Sequence, residues 1–343
     1  MTKSFLLVAI FALSILLVHG AETPALIERP AADAGPTQVS VGIWVVDISN
    51  IDSAQQTFTA DIAIVLPWKD ARLAHTGTGV AHYALDQIWS PRVGIANETS
   101  SVVRKLPESA EVEPDGTVLY RQFYVGSFTQ PLRLQSFPFD RQAFRIQLVA
   151  IRYRPDEVAF VPDEDWVRKG LKNAAGIAPS ITLPDWTIEK WETKPLTYAI
   201  APSLQYSGYA FEFTASRNVQ YYMLKVILPL ILIVIMSWAG FWIDPVNASA
   251  QISVAVTSML TLIAYRFAAD TQLPRLPYMT RLDVLFLVST LLVFFSLIEV
   301  MATTILDNNQ QTERAKRLDR YCRVIFPVIF AIACVAILVQ PRG

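Results

Sequence analysis

Ser253, Thr257, Leu260, Ala264, Phe267 and Thr271 recur at alternating spacings of four and three, which puts them on one narrow helical face. Hydroxyls on such a face can stand in for part of an ion's water shell, and in a symmetric oligomer rings of Leu260 and Phe267 can close a water path by dewetting. Small and hydroxyl residues also mediate helix packing by bonding to neighbouring backbones, so periodicity alone leaves both uses open. Reaction chemistry has no comparable anchor. The three His (His19, His75, His82) and two Cys (Cys322, Cys334) show neither a CxxC pair nor ligand spacing. The sequence also lacks a P-loop, an HExxH, a Gly-x-Ser-x-Gly and a paired nucleophile and base. The expectation is a non-enzyme with no catalytic residues, no cofactor and no metal.

The elements that must hold that face follow from composition. A chain of 343 residues with 52% hydrophobic and 17% charged residues is too apolar for an ordinary soluble protein and reads as an integral membrane protein. Its formal net charge of -1 supplies no basic field for a nucleic-acid backbone, and nucleic acid is excluded as a partner. The same composition excludes disorder. Residues 1–20 carry Lys3, an apolar run from Phe5 to Val18 and small residues at Gly20 and Ala21, the pattern of a secretory signal peptide. Residues 21–36 are Ala/Pro-rich and expected to be loose.

Residues 37–217 alternate with period two, as in Phe58, Ala60, Ile62, Ile64 and Leu66, in Phe144, Ile146 and Leu148, and in Tyr209, Phe211 and Phe213. Pro114-Asp115-Gly116 supplies a turn. Short strands joined by turns predict an all-β, immunoglobulin-like antiparallel sandwich. Residues 218–343 then read as an all-α four-helix transmembrane domain, with helices near 221–243, 247–269, 282–306 and 318–340. A short loop, 307–317, joins the last two. Arg314, Lys316, Arg317, Arg320 and Arg323 in and just beyond it place it in the cytoplasm, with the sandwich and both mature termini outside. Pro229 should only kink the first helix, because a neighbouring helix can satisfy the freed carbonyl. Membrane lipid is an expected partner. A non-conducting membrane-anchored binding or adhesion protein is the alternative to a channel, although one helix would suffice as an anchor and the hydroxyl stripe would have no use.

Trp68-Lys69-Asp70, Trp89-Ser90-Pro91, Asp115-Gly116-Thr117, Phe137-Pro138-Phe139-Asp140, Arg217 just before the first helix, and Leu273-Pro274-Arg275-Leu276-Pro277-Tyr278 occur in an order that resembles the pentameric ligand-gated ion channels, the Cys-loop receptor superfamily. The resemblance covers nearly the whole mature chain. Animal members close the Phe-Pro-x-Asp loop with cysteines at positions held here by Gln130 and Phe144, and usually insert a large segment between the third and fourth helices. Both departures point to the prokaryotic branch and so to the inner membrane of a bacterium.

The resemblance implies a homopentamer that passes monovalent ions, with Leu260 at a central hydrophobic gate and Ser253 near the cytoplasmic constriction. Asp270 lies at the outer mouth. The Glu ring common at the inner end in cation-selective relatives is absent, since Ser249, Ala250 and Gln251 stand there. With no basic ring at either mouth, Asp270 favours cations. Asp52, Phe137, Pro138, Phe139, Asp140, Arg217 and Arg275 are implied members of the junction that couples sandwich to helices, though an Asp140–Arg217 bridge could also be merely structural. For a small-molecule agonist the implied positions are Trp89, Tyr120, Tyr124, Arg152, Tyr153, Tyr198 and Tyr206. Aromatics there would suit an amine, and Arg152 beside Tyr153 an aromatic carboxylate. Tyr120 and Tyr124 could equally be sandwich core, and protons could replace a ligand as the stimulus.

Overall fold

The computed structural model describes residues 26–30, 34–99, 102–162, 175–270 and 276–338. The leader, part of the segment 21–36, Thr271 and Arg275 lie outside them.

Twelve strands are described: β1 (Thr37–Asp52), β2 (Thr57–Lys69), β3 (Ala81–Ala84), β4 (Val93–Ile95), β5 (Val103–Arg104), β6 (Ser109–Val112), β7 (Thr117–Thr129), β8 (Arg141–Ala150), β9 (Val158–Pro162), β10 (Ala175–Ile177), β11 (Trp186–Ala201) and β12 (Leu204–Arg217). They form two sheets. One runs β10-β1-β2-β7-β6-β3, with β5 also on β7 and β9 also on β1; the other runs β11-β12-β8-β4. The period-two residues fill the space between them: Phe58, Phe128, Phe144 and Phe213 are buried and meet ring to ring. Aromatic pairs at such separations add to what their buried area contributes.

The sandwich is not antiparallel throughout. β9 pairs parallel with Thr37–Val41 and β10 parallel with Ile43–Val45. β1 is long, and without them its outer edge would present a row of unpaired N–H and C=O groups. Both strands are too short for their pairing to be read from alternation.

Four helical spans follow, each long and apolar enough to cross a membrane. The first, α1 (Gln220–Trp242), starts with one turn, passes through a π-helical stretch at Met223–Ile227 and continues as α-helix over Leu228–Trp238. Pro229 cannot donate to the carbonyl of Lys225. A hydroxyl from α2 (Ala248–Asp270) takes up the loss: Tyr265 donates to the Val226 carbonyl at 2.8 Å and lies 3.2 Å from that of Lys225.

At the start of α3 (Arg281–Asn308), Thr280 caps the backbone N–H of Asp283, whose carboxylate reaches back to Thr280. α4 (Thr312–Leu338) begins earlier than expected, so the link after α3 is residues 309–311 rather than 307–317. Hydropathy detects only the apolar part of a helix, whereas this start is set by polar contacts: Thr312 donates to Asp307 at 2.7 Å, and Gln310 makes the turn at φ 60°.

Candidate pore and coupling site

α2 is two-faced. Gln251, Ala255, Ser258 and Leu262 are buried against the other helices, and the Gln251 amide donates to the carbonyls of Gly240 and Ile243 at 3.3 and 2.9 Å. On the opposite side Ser253, Thr257, Leu260, Ala264 and Phe267 are exposed in the single chain, Leu260 by 62% and Phe267 by 70%. Two large apolar side chains left so open, in line with two hydroxyls, form a face that its own bundle does not cover. Asp270 is exposed at the end of α2 nearest the sandwich.

The sandwich meets the helices at one charged cluster. Arg217, the last residue of β12, forms a fork with Asp140: Nε donates to Oδ1 at 2.8 Å and Nη2 to Oδ2 at 3.2 Å, with both side chains buried. The pairing of β12 with β8 sets the approach, since Ser216 stands opposite Arg141. The guanidinium lies 4.2 Å from the Trp186 ring and 4.8 Å from that of Phe137. Phe137 meets Tyr222 of α1 edge-on at 4.9 Å. The loop that ends in Asp140 also touches the link after α2, where the Tyr278 hydroxyl accepts from Leu134 N at 3.2 Å and Arg281 N donates to the Gln135 carbonyl at 3.1 Å.

Asp52 is placed differently from the expectation. Its carboxylate accepts from the backbone of Ala54 and Gln55, both at 2.8 Å, and so closes the turn between β1 and β2. Ser53 reaches the cluster instead, accepting from Arg217 Nη2 at 2.9 Å. A carboxylate followed by free backbone N–H groups satisfies them locally first. Sequence assigns Ser53, Trp186, Tyr222 and Tyr278 no role at the junction. Tyr278 ends the Leu-Pro-Arg-Leu-Pro-Tyr motif, and Trp186 faces Arg217 in the β11–β12 register.

The aromatic and basic residues proposed for an agonist are not gathered in one place. Trp89 is buried and donates to the Tyr153 hydroxyl at 2.9 Å, with Trp68 edge-on to it at 5.8 Å. Tyr120 and Tyr124 are buried in the sandwich, and burial pushes both hydroxyls above the usual tyrosine range. Tyr198 and Tyr206 pair across β11 and β12, and Tyr198 lines a separate cleft of about 480 Å³ with Asn97, Gln130, Arg145 and Glu212. Arg152 is exposed. One bond links two of these places, from Ser207 N to the Tyr153 carbonyl at 3.1 Å. Sequence order marks which loops such residues sit on but not whether they point outward.

An acidic pair lies on the sandwich. Asp47 and Asp61 stand opposite each other on β1 and β2. Bonds from Thr182, chiefly its hydroxyl at 2.6 Å, hold the Asp47 carboxyl below the usual range. Burial, and then the charge of Asp47, push Asp61 up, with Lys105 opposing. A carboxyl held above its unfolded value binds its proton more tightly in the folded state. Its contribution to stability is therefore present below the ordinary carboxylate range and lost as pH rises through the folded value. Asp61→Asn should accordingly melt above the wild type at neutral pH, with the difference vanishing at acid pH. Parallel melting curves at every pH would show that Asp61 is not the group responsible.

Comparison with known proteins matches this architecture in two parts. Residues 25–219 match the neurotransmitter-gated ion-channel ligand binding domain, and residues 226–314 the neurotransmitter-gated ion-channel transmembrane region. A proton-gated ion channel of Gloeobacter violaceus is 29% identical over 310 residues, spanning 89% of this chain and 83% of the relative. An extracellular β-sandwich, a buried Arg–Asp fork at its junction with four membrane-crossing helices, and matches along both domains carry one conclusion: the chain belongs to the neurotransmitter-gated ion-channel family, as a prokaryotic, non-enzymatic, ligand-gated ion channel.

Proposed function

We infer that the chain works as a homopentamer in the inner membrane of a bacterium, with the sandwich on the periplasmic side. Five copies of α2 turn Ser253, Thr257, Leu260, Ala264 and Phe267 toward a common axis. The observation that carries this reading is the uncovered face of α2, where Leu260 and Phe267 stand open while Gln251, Ala255, Ser258 and Leu262 are packed. Rings of Leu260 and Phe267 exclude water when they are close and conduct when parted. Asp270 repeated around the outer mouth concentrates monovalent cations.

Protons are the stimulus we favour over an amine or an aromatic carboxylate. The Gloeobacter relative is named as proton-gated. Trp89, Tyr120 and Tyr124 are buried within the chain, so these three rings form no open aromatic cage. A proton opens the pore only to the extent that it binds the open state more tightly than the closed one. The Arg217–Asp140 cluster, touching Phe137, Tyr222 and Ser53 at once, is the joint through which the sandwich biases the helices.

The test is current across a planar bilayer from purified protein, wild type beside Leu260→Ser, under a sodium chloride gradient while pH is stepped. The serine variant should conduct at pH values where the wild type is silent, reversing near the sodium potential. Reversal near the chloride potential would refute cation selectivity. Silence of both proteins at every pH, although each is folded and oligomeric, would refute the pore.

A further inference from the structure

Two acids inside the helical domain have no part in the pore or the junction. Glu299 of α3 is 6% exposed and Asp319 of α4 is fully buried, and none of their four carboxylate oxygens receives a hydrogen bond. They face each other, with Cys322 turned to Glu299, and Gln251 and Arg323 near Asp319. The nitrogen donors of Arg323 and Gln251 are spent elsewhere, which leaves the Cys322 thiol, a weak donor, beside Glu299. Arg323 donates to the Phe241 carbonyl at 2.8 Å and lies over the Trp242 ring at 5.7 Å. Gln251 spends its amide nitrogen on Gly240 and Ile243, so its oxygen, also buried, is left without a partner. Asp244, the remaining acid nearby, is drawn off by Lys316 at 3.5 Å.

Acceptors from α2, α3 and α4 thus meet in a buried place whose one donor is the weakly donating Cys322 thiol. Two ionised carboxylates there would suffer desolvation and mutual repulsion together. A single proton between them turns an acceptor–acceptor contact into a short charge-assisted bond.

We propose that Glu299 and Asp319 form a proton-binding site within the membrane domain, sharing one proton at neutral pH and thereby clasping α4 to α3. Its ligand is the proton itself, and the site does not depend on what opens the pore. Alkaline pH removes the proton, leaves like charges in contact and loosens α4. Like charges brought into contact there lower stability as pH rises.

Infrared spectra of the full-length oligomer in a lipid bilayer at pH 7 test this directly. The wild type should show the C=O stretch of a protonated carboxyl, and either Glu299→Gln or Asp319→Asn alone should abolish it, because the new amide donates the missing hydrogen and the surviving acid ionises. Each variant should also lose the fall in melting temperature that the wild type shows as pH is raised above neutral. A band unchanged in both variants would overturn the proposal. So would its absence from the wild type at pH 7, a result that stands even if neither variant assembles. Stabilisation of the wild type by sodium or potassium at fixed pH, without the band, would show a metal cation in the proton's place.

Discussion

Arg217→Met should destabilise the oligomer by about 3–5 kcal/mol, the penalty for stripping one partner from a buried ion pair. The guanidinium gives Asp140 two hydrogen bonds, at 2.8 and 3.2 Å, and after its loss the carboxylate keeps the Gln142 amide at 2.8 Å. One neutral donor does not compensate a buried charge, and Asp140 is nearly closed to solvent. Asp140→Leu should be comparably harmful, because it strands the guanidinium between Trp186 and Phe137. The double variant, with neither charge, should recover a large part of the loss. Unfolding of the four proteins in detergent measures the cycle, and simple addition of the two single losses would mean that the groups are not coupled. The same variants report on function. If the fork transmits the stimulus, the double variant should assemble and yet respond to pH differently from the wild type.

Phe144→Ala should cost about 3–5 kcal/mol, and Phe144→Leu less than about 1.5 kcal/mol. The ring is buried among Phe213 at 5.0 Å, Phe58 at 5.4 Å and Trp186 at 5.6 Å, so alanine leaves a hole bounded by rigid aromatics that cannot collapse into it. Trp186 makes the effect more than local, because the Arg217 guanidinium lies 4.2 Å from its ring. The alanine variant should therefore shift the pH of half-maximal current as well as the melting temperature, whereas leucine, which still supports Trp186, should leave that pH nearly unchanged. Alanine and leucine variants of equal stability would mean that the aromatic cluster has slack to fill the hole.

Residues whose neighbours lie close in sequence or repeat with a fixed period were the legible ones. Alternation along β2, β8 and β12 marked the inner faces of both sheets, because one face of each strand must be apolar. The four membrane-crossing segments were visible because each must satisfy a length and a hydropathy at once, and the ends misjudged were those set by side-chain bonds, such as Thr312 to Asp307. Asp140 and Arg217 were found through a motif and a position. Ser53 was passed over for Asp52, because the choice between two adjacent polar residues depends on which one the turn consumes. Trp89, Tyr120 and Tyr124 illustrate the converse limit: an aromatic on a strand reads alike whether it faces the core or a partner.

Tyr265 and Gln251 give α2 two rungs to α1, one through the carbonyls of Val226 and Lys225, the other through those of Gly240 and Ile243. Fourteen residues separate the rungs, roughly 21 Å along the helix axis at about 1.5 Å per residue. A rod pinned near both ends cannot swing alone. Widening the proposed pore must carry α1 along as the second rail of a ladder, or bow α2 between its pins, where Leu260 sits.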